Sequence, residues 1–382
     1  MRPTERSRRG GIPLTAKPAR QADRPEDYAR LNLERRLIKP WEDGIRIDTA
    51  APNLEWWYID ADLDDGTGLC MIFATKDGTR PHQPLGPQLE IDITKPDGTR
   101  LVRSWYAKPE EFSASKDGCD VRMGDFRFTG DLHEYRVTGE AEELSADIRL
   151  EGLTEPWRPE SGLLLFGPKD EHFFGWTPFV PFGKVTATYK IGDEVHEATG
   201  RGYHDHNWTN TDLGHLIDHW WWARGEVGPY TFLAAHIVAT EEYGYTPFHW
   251  YMLARDGKVI ADDGSKMTFT THGAEINEKT GKPEPDSICF DYEDGDTRYE
   301  LTLTRQKTLV AYTWIDFAKG WQKDLMKLIR YPGGYMRFLA ATSLDCYKAG
   351  ERVEHYEKTG AFEQIFYKRE IHEESLEHDL DH

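Results

Sequence analysis

The sequence predicts a mainly β protein built from antiparallel meanders. Three observations carry this. Strand-like runs of four to ten residues recur along most of the chain. Turn signals punctuate them at Asp64-Asp65-Gly66, Lys76-Asp77-Gly78, Pro96-Asp97-Gly98, Lys116-Asp117-Gly118, Asp256-Gly257, Asp263-Gly264 and Asp294-Gly295. Aromatic residues make up 13% of the chain, including 13 Trp, which suits cross-strand pairs and half-buried pockets. With 382 residues the chain is long enough for two domains.

Taken in order, residues 1–24 are basic, contain prolines and read as a disordered tail. Pro25 to Lys39 reads as a helix, with Pro25 at its first position, Glu26 and Asp27 in the first turn, and Pro40 stopping it. From Ile45, strands are expected at Glu55–Leu63, Gly68–Ala74, Gln88–Thr94, Phe126–Thr129, Tyr135–Glu140 and Leu144–Leu150. Leu165 to Gly183 is rich in Gly, Pro and aromatics and reads as a loop, either a lid or a plug packed over a barrel floor. A hairpin around Gly192-Asp193 follows, its second arm running from Glu194 to Trp208. The second half supplies strands at Trp220–Glu226, Tyr230–Ala239, Phe248–Arg255, Lys258–Ala261, Lys266–Thr271, Ser287–Tyr292, Tyr299–Thr304, Tyr335–Tyr347 and Ala361–Lys368. One amphipathic helix is expected at Ile315–Arg330, with Phe317, Trp321, Leu325, Met326 and Ile329 on its apolar face. Glu373 to His382 is an acidic tail. The expected division is 1–44 for tail and helix, 45–212 and 213–372 for two β units, and 373–382 for the tail.

A formal net charge of −20 argues against nucleic acid and anionic membrane surfaces as partners. No run of about 18 apolar residues occurs, so no stable membrane insertion is expected. Ser7-Arg8-Arg9 lacks a following apolar stretch, which excludes export and leaves a cytoplasmic location as the expectation. Cys70, Cys119, Cys289 and Cys346 form no CxxC pair and read as reduced thiols.

Chemistry concentrates in Gly202-Tyr203-His204-Asp205-His206-Asn207-Trp208. On a strand, His204, His206 and Trp208 share one face while Tyr203, Asp205 and Asn207 share the other. Two His at i, i+2 can chelate a metal, with His215, His219, His236 or His249 as the third ligand. The favoured reading is proton transfer by His206 with a neighbouring carboxylate, Asp205 or Glu55, and no metal or other cofactor. A carboxyl among indoles has a raised pKa and serves as an acid. The alternative for Asp205 is a purely structural role between two β units. Asn53-Leu54-Glu55-Trp56-Trp57-Tyr58 is a second dense spot; one indole should point into a barrel and the other outward. His219-Trp220-Trp221-Trp222-Ala223-Arg224 is a third. Its three indoles require both strand faces to be covered, and Arg224 has Glu55 or Asp205 as expected partners.

Glu55-Trp56-Trp57-Tyr58, then Tyr203-His204-Asp205-His206-Asn207-Trp208, then Trp220 to Arg224, resemble the carotenoid 1,2-hydratase (hydroxyneurosporene synthase) and AttH-like lipocalin family over about Ile45 to Lys368. The resemblance implies two lipocalin-like β-barrels side by side and an aromatic cavity for a hydrophobic small-molecule ligand. It implies acid-initiated hydration, isomerisation or cyclisation of an isoprenoid-like or polyketide-like molecule, or else binding and carriage without turnover. His206 and Trp208 match the family's His-x-Trp positions. Trp208 and Trp221 would face a carbocation, with Trp57, Tyr203, His204 and Tyr230 completing the pocket. The chain departs from the hydratase pattern at Tyr230-Thr231-Phe232, where an acidic residue is expected nearby.

Overall fold

The computed structural model describes residues 16–78, 81–141, 144–316, 320–328 and 331–368. Residues 1–15 of the tail expected over 1–24, the acidic tail at 373–382, and Phe317 and Ile329 of the expected amphipathic helix lie outside them; the rest of that N-terminal tail is ordered, with Ala19–Gln21 a strand paired to Leu164–Phe166. Two large curled antiparallel sheets form a mainly β, lipocalin-like fold. Strand by strand, the first sheet runs Arg100–Tyr106, Gln88–Thr94, Gly68–Ala74, Leu54–Leu63, Glu194–Thr209, His172–Ile191, Leu144–Gly152, Glu134–Ala141, Phe126–Gly130, Asp120–Met123 and Phe112–Ala114. The second runs Lys258–Ala261, Pro247–Arg255, Tyr230–Ala239, Ile217–Val227, Glu351–Phe366, Gly334–Lys348, Thr297–Thr313, Ser287–Asp294 and Met267–His272. In each sheet the first long strand pairs with the last, which curls the meander back on itself.

Alternation makes these strands. Gln88–Thr94 reads polar-apolar throughout, and its Leu89, Ile91 and Ile93 are buried. Such inward residues build one core inside each sheet, around Trp57, Met71 and Phe128 in the first and Trp221, Phe290 and Phe338 in the second. A third core lies between the sheets. Trp56, Phe174, Trp176 and Tyr203 of the first meet Trp220, Trp222, Leu233 and Trp250 of the second. Trp176 stacks on Trp250 with ring centroids 4.7 Å apart.

Three expectations need correction. The Leu165–Gly183 loop is instead the end of the strand Leu163–Phe166 and the first half of the strand His172–Ile191. Pro178 and Pro181 sit where register shifts interrupt its pairing, so a strand carries prolines without losing its ladder. The first helix covers only Pro25–Leu31, because Asn32 adopts a left-handed conformation (φ 55°) and caps it. At the start of the later helix, expected from Ile315, Trp314–Asp316 forms a 3-10 turn, and the helix is described over Gly320–Leu328. Among the described residues, no helix is long and apolar enough to cross a membrane.

Candidate active site

The two sequence words of the resemblance are register partners. Glu55, Trp56, Trp57 and Tyr58 stand opposite Trp208, Asn207, His206 and Asp205 across one antiparallel ladder. Strand alternation then splits them into two environments.

The inward face carries Glu55, Trp57, His204 and His206, all without solvent exposure. They meet Asp43, which the sequence reading did not single out. Pro40–Asp43 forms a 3-10 turn, and Glu42 closes it by accepting a hydrogen bond from the Lys39 amide (2.9 Å) and pairing with the buried Arg158. Gly44 follows, where a Cβ would fall 2.7 Å from the Lys116 backbone. This close approach draws the segment across the end of the first sheet. Asp43 Oδ2 accepts from Tyr135 (2.7 Å) and stands 3.0 Å from His204 Nε2; Asp43 Oδ1 lies 3.3 Å from His206 Nδ1. Each imidazole is fixed on its outer side. His204 Nδ1 donates to the Tyr58 carbonyl (2.7 Å), and His206 Nε2 donates to Glu55 Oε1 (2.8 Å). Glu55 is itself held by the Arg46 and Ile47 amides at 2.6 and 3.3 Å. Trp57 stacks on His206 at 4.4 Å and donates Nε1–H to the Asp43 carbonyl (3.1 Å).

Burial works against the charged forms here, and the partners overcome it. Desolvation raises the Asp43 pKa, but His204 and His206 outweigh it and hold the carboxyl below its usual range. Desolvation likewise lowers His206, while Asp43 and Glu55 carry its pKa above the usual imidazole value. Trp208 stands beside this group, 5.2 Å from His206, with Arg46 over its ring at 5.4 Å. Only glycine fits beneath it, since a Cβ on Gly175 would come within 2.1 Å of the indole.

The opposite face carries Tyr203, Asp205 and Asn207 into the layer between the sheets. Asp205 accepts three hydrogen bonds, from Trp176 (2.7 Å), Tyr203 (2.7 Å) and Asn207 (2.6 Å). Burial pushes its pKa up against the pull of these donors. Arg224 lies over the rings of Tyr203 and Trp222, at 4.8 and 5.7 Å. Its partner is Asp60, not Glu55 or Asp205 as the sequence suggested, because Glu55 faces the other side of the ladder and Asp205 is already engaged by Trp176, Tyr203 and Asn207. Asp60 also accepts from the Tyr58 hydroxyl at 2.9 Å. The Nε of Arg224 is buried with no hydrogen-bond partner.

Two expected pocket residues lie elsewhere. Trp221 packs inside the second sheet against Phe269 and Phe362. Tyr230 lies in that same core and donates to Glu354 (2.8 Å). His219, His236 and His249 belong to adjacent strands of the second sheet, so none of them joins His204 and His206. Their ring neighbours are one another and Phe269. Asp43 escaped the sequence reading because it lies 161 positions from His204. The available signal was Trp41-Glu42-Asp43-Gly44, two carboxylates between an indole and a glycine just after a proline.

Residues 48–323 match the Diels-Alderase-like family. Among solved structures the chain is similar to CghA in complex with Sch210972, with a TM-score of 0.61 and 14% identity over 87% of this chain and 96% of that one. It is also similar to an AttH-like protein, NE1406, from Nitrosomonas europaea, with a TM-score of 0.57 and 16% identity over 87% and 97%. At these identities the likenesses establish the fold. A stretch of 180 residues is 23% identical to the ceramide-binding protein svf1 of Emericella nidulans, covering 44% of this chain. The match spans 45% of that relative's length, less than half of it.

Proposed function

The chain belongs to the Diels-Alderase-like family, and from that premise we propose that it is a cofactor-independent enzyme that closes a ring in a hydrophobic, polyketide-like or isoprenoid-like small molecule between its two sheets. The observation that carries this reading is Arg224. It is a guanidinium held by Asp60 among Tyr203 and Trp222, with an Nε–H donor left over in an aromatic layer. A pericyclic closure needs no redox group and transfers no proton. It needs the substrate folded with its reacting carbons in contact, and a hydrogen bond to a conjugated carbonyl where electron density accumulates. Trp56, Trp220 and Trp222, each half-buried, supply flat apolar walls. Tyr203, steadied by Asp205, shapes the floor beneath the guanidinium.

In this reading His206 and Glu55 shape the strand rather than touch substrate, because neither exposes an atom. If the reaction is an acid-initiated hydration or isomerisation instead, Asp205, whose pKa burial raises, would be the candidate acid. The test begins with organic extraction and native mass spectrometry of the purified chain to identify a co-purified molecule. Its linear precursor is then incubated with wild type and Arg224→Met, and products are separated by chromatography. Loss of about 10²-fold in turnover, with the fold retained, is expected for removal of one such donor. Unchanged turnover sinks the assignment.

A second reading is favoured by the match to a ceramide-binding protein. The aromatic layer would then carry an apolar amphiphile without turnover. Quenching of tryptophan fluorescence by ceramide vesicles, with the lipid recovered unaltered, would select it.

A further inference from the structure

We propose that Asp43, Cys119 and His204 form a structural zinc site inside the first sheet, distinct from the aromatic layer and independent of the function proposed for it. One ligand atom from each residue lies within 4.8 Å of the others, and all three side chains are buried. Zinc bonds of about 2.0–2.3 Å to nitrogen, oxygen and sulfur place ligand atoms roughly 3–4 Å apart, so the residues need only a small inward movement. Asp43 Oδ2 and His204 Nε2 already stand 3.0 Å apart.

The outer shell is arranged as metal-bound histidines require. His204 donates Nδ1–H to the Tyr58 carbonyl at 2.7 Å, which fixes the ring and directs the Nε2 lone pair at the site. The Tyr135 hydroxyl donates to Asp43 Oδ2 at 2.7 Å and so orients the carboxylate. His206, held by Glu55, backs the other oxygen of Asp43 at 3.3 Å. Both that oxygen and His206 Nδ1 are buried without a hydrogen-bond partner, so this contact is a close approach rather than a made bond. A thiolate, an imidazole and a carboxylate together suit zinc better than magnesium or calcium. One carboxylate and one thiolate also neutralise a divalent ion, which a sealed core demands. The three ligands come from the crossing segment, the turn before Asp120 and the motif strand, so the ion would tie together pieces distant in sequence.

The full-length chain should be purified from zinc-supplemented culture, and its metal measured by plasma mass spectrometry beside circular dichroism. One zinc per folded chain is expected. Replacement with Co²⁺ should give a thiolate-to-cobalt charge-transfer band, and Cys119→Ser should abolish that band. His204→Gln should weaken zinc binding by at least about tenfold, while His249→Gln in the second sheet leaves occupancy unchanged. A folded wild type that holds only substoichiometric zinc after titration, and gives no cobalt band, overturns the proposal. So does a band that survives Cys119→Ser.

Discussion

The two sheets solve the same closure differently. Each pairs its first long strand with its last, and at matching places each sets a buried indole opposite a polar side chain. Trp57 faces His206 in the first sheet, and Trp221 faces Gln364 in the second. All four are without solvent exposure. His206 is stacked on Trp57, bonded to Glu55 and backed by Asp43. Gln364 has neither its oxygen nor its nitrogen bonded. The difference lies in what crosses the end of the sheet. Over the first runs 40–47, bringing the Asp43 carboxylate and the two amides that hold Glu55. Near the end of the second lies the small hairpin of Glu275–Ile276 with Pro283–Glu284. It sends Lys282 to the Lys368 carbonyl and over the Phe366 ring rather than to Gln364.

The largest effect that tests this comparison is His206→Leu. It removes the imidazole that bonds Glu55 and stands beside Asp43 in a region of low dielectric, leaving two buried carboxylates short of a partner. Breaking a buried pair in this way costs about 3–5 kcal/mol, and urea unfolding should show a loss of that order. A loss below about 1 kcal/mol would mean the pair behaves as a surface contact, and the contrast between the sheets would collapse.

A second carboxylate stabilises the first sheet from outside. The strand Ala19–Gln21 pairs with Leu163–Phe166, and Arg20 within it holds Asp27 at 2.7 Å and Asp170 at 2.7 Å. The Arg20 guanidinium, outweighing burial, lowers the Asp27 pKa to about 2. A depressed folded-state value means this stability is complete above the unfolded pKa near 4 and disappears as pH falls toward 2. Asp27→Asn should therefore cost about 2 kcal/mol at neutral pH and flatten the acid limb of the stability curve between about pH 4 and pH 2. An unchanged acid limb would detach the N-terminal segment from the stability of the first sheet.

Much of this was legible in the chain before its structure. Turn dipeptides and period-two alternation mark strands such as Gln88–Thr94 because each inward residue meets only local neighbours across a ladder. The Glu55–Tyr58 and Asp205–Trp208 words stood out together because they are direct register partners. The strand His172–Ile191 was hidden by Pro178 and Pro181, whose missing amides are tolerated only because the register shifts there. Asp43 was hidden because nothing local requires it. Its partners His204, His206 and Tyr135 arrive from far along the chain. Arg224 was read with the wrong acid for a related reason. Alternation told which face each side chain takes, but not that Asp60 stands closest once two sheets meet.

The smallest effect is the sharpest test of the comparison, because its sign is opposite. Gln364→Leu removes a buried amide whose two polar atoms make no hydrogen bond, beside Trp221 and Met336 in the ladder. An unsatisfied buried amide costs about 1–3 kcal/mol relative to a bonded one, and Leu fills similar volume with apolar atoms. The expected result is a stability equal to wild type or up to about 1 kcal/mol higher, read from the midpoint of urea unfolding at constant slope. A clear loss, comparable to that of His206→Leu, would show that Gln364 has a partner in solution, such as an ordered water bridging toward the Nδ1 of His236, itself buried and unbonded. The second sheet would then hold a polar network of its own. The two closures would differ in the identity of their partners rather than in having them.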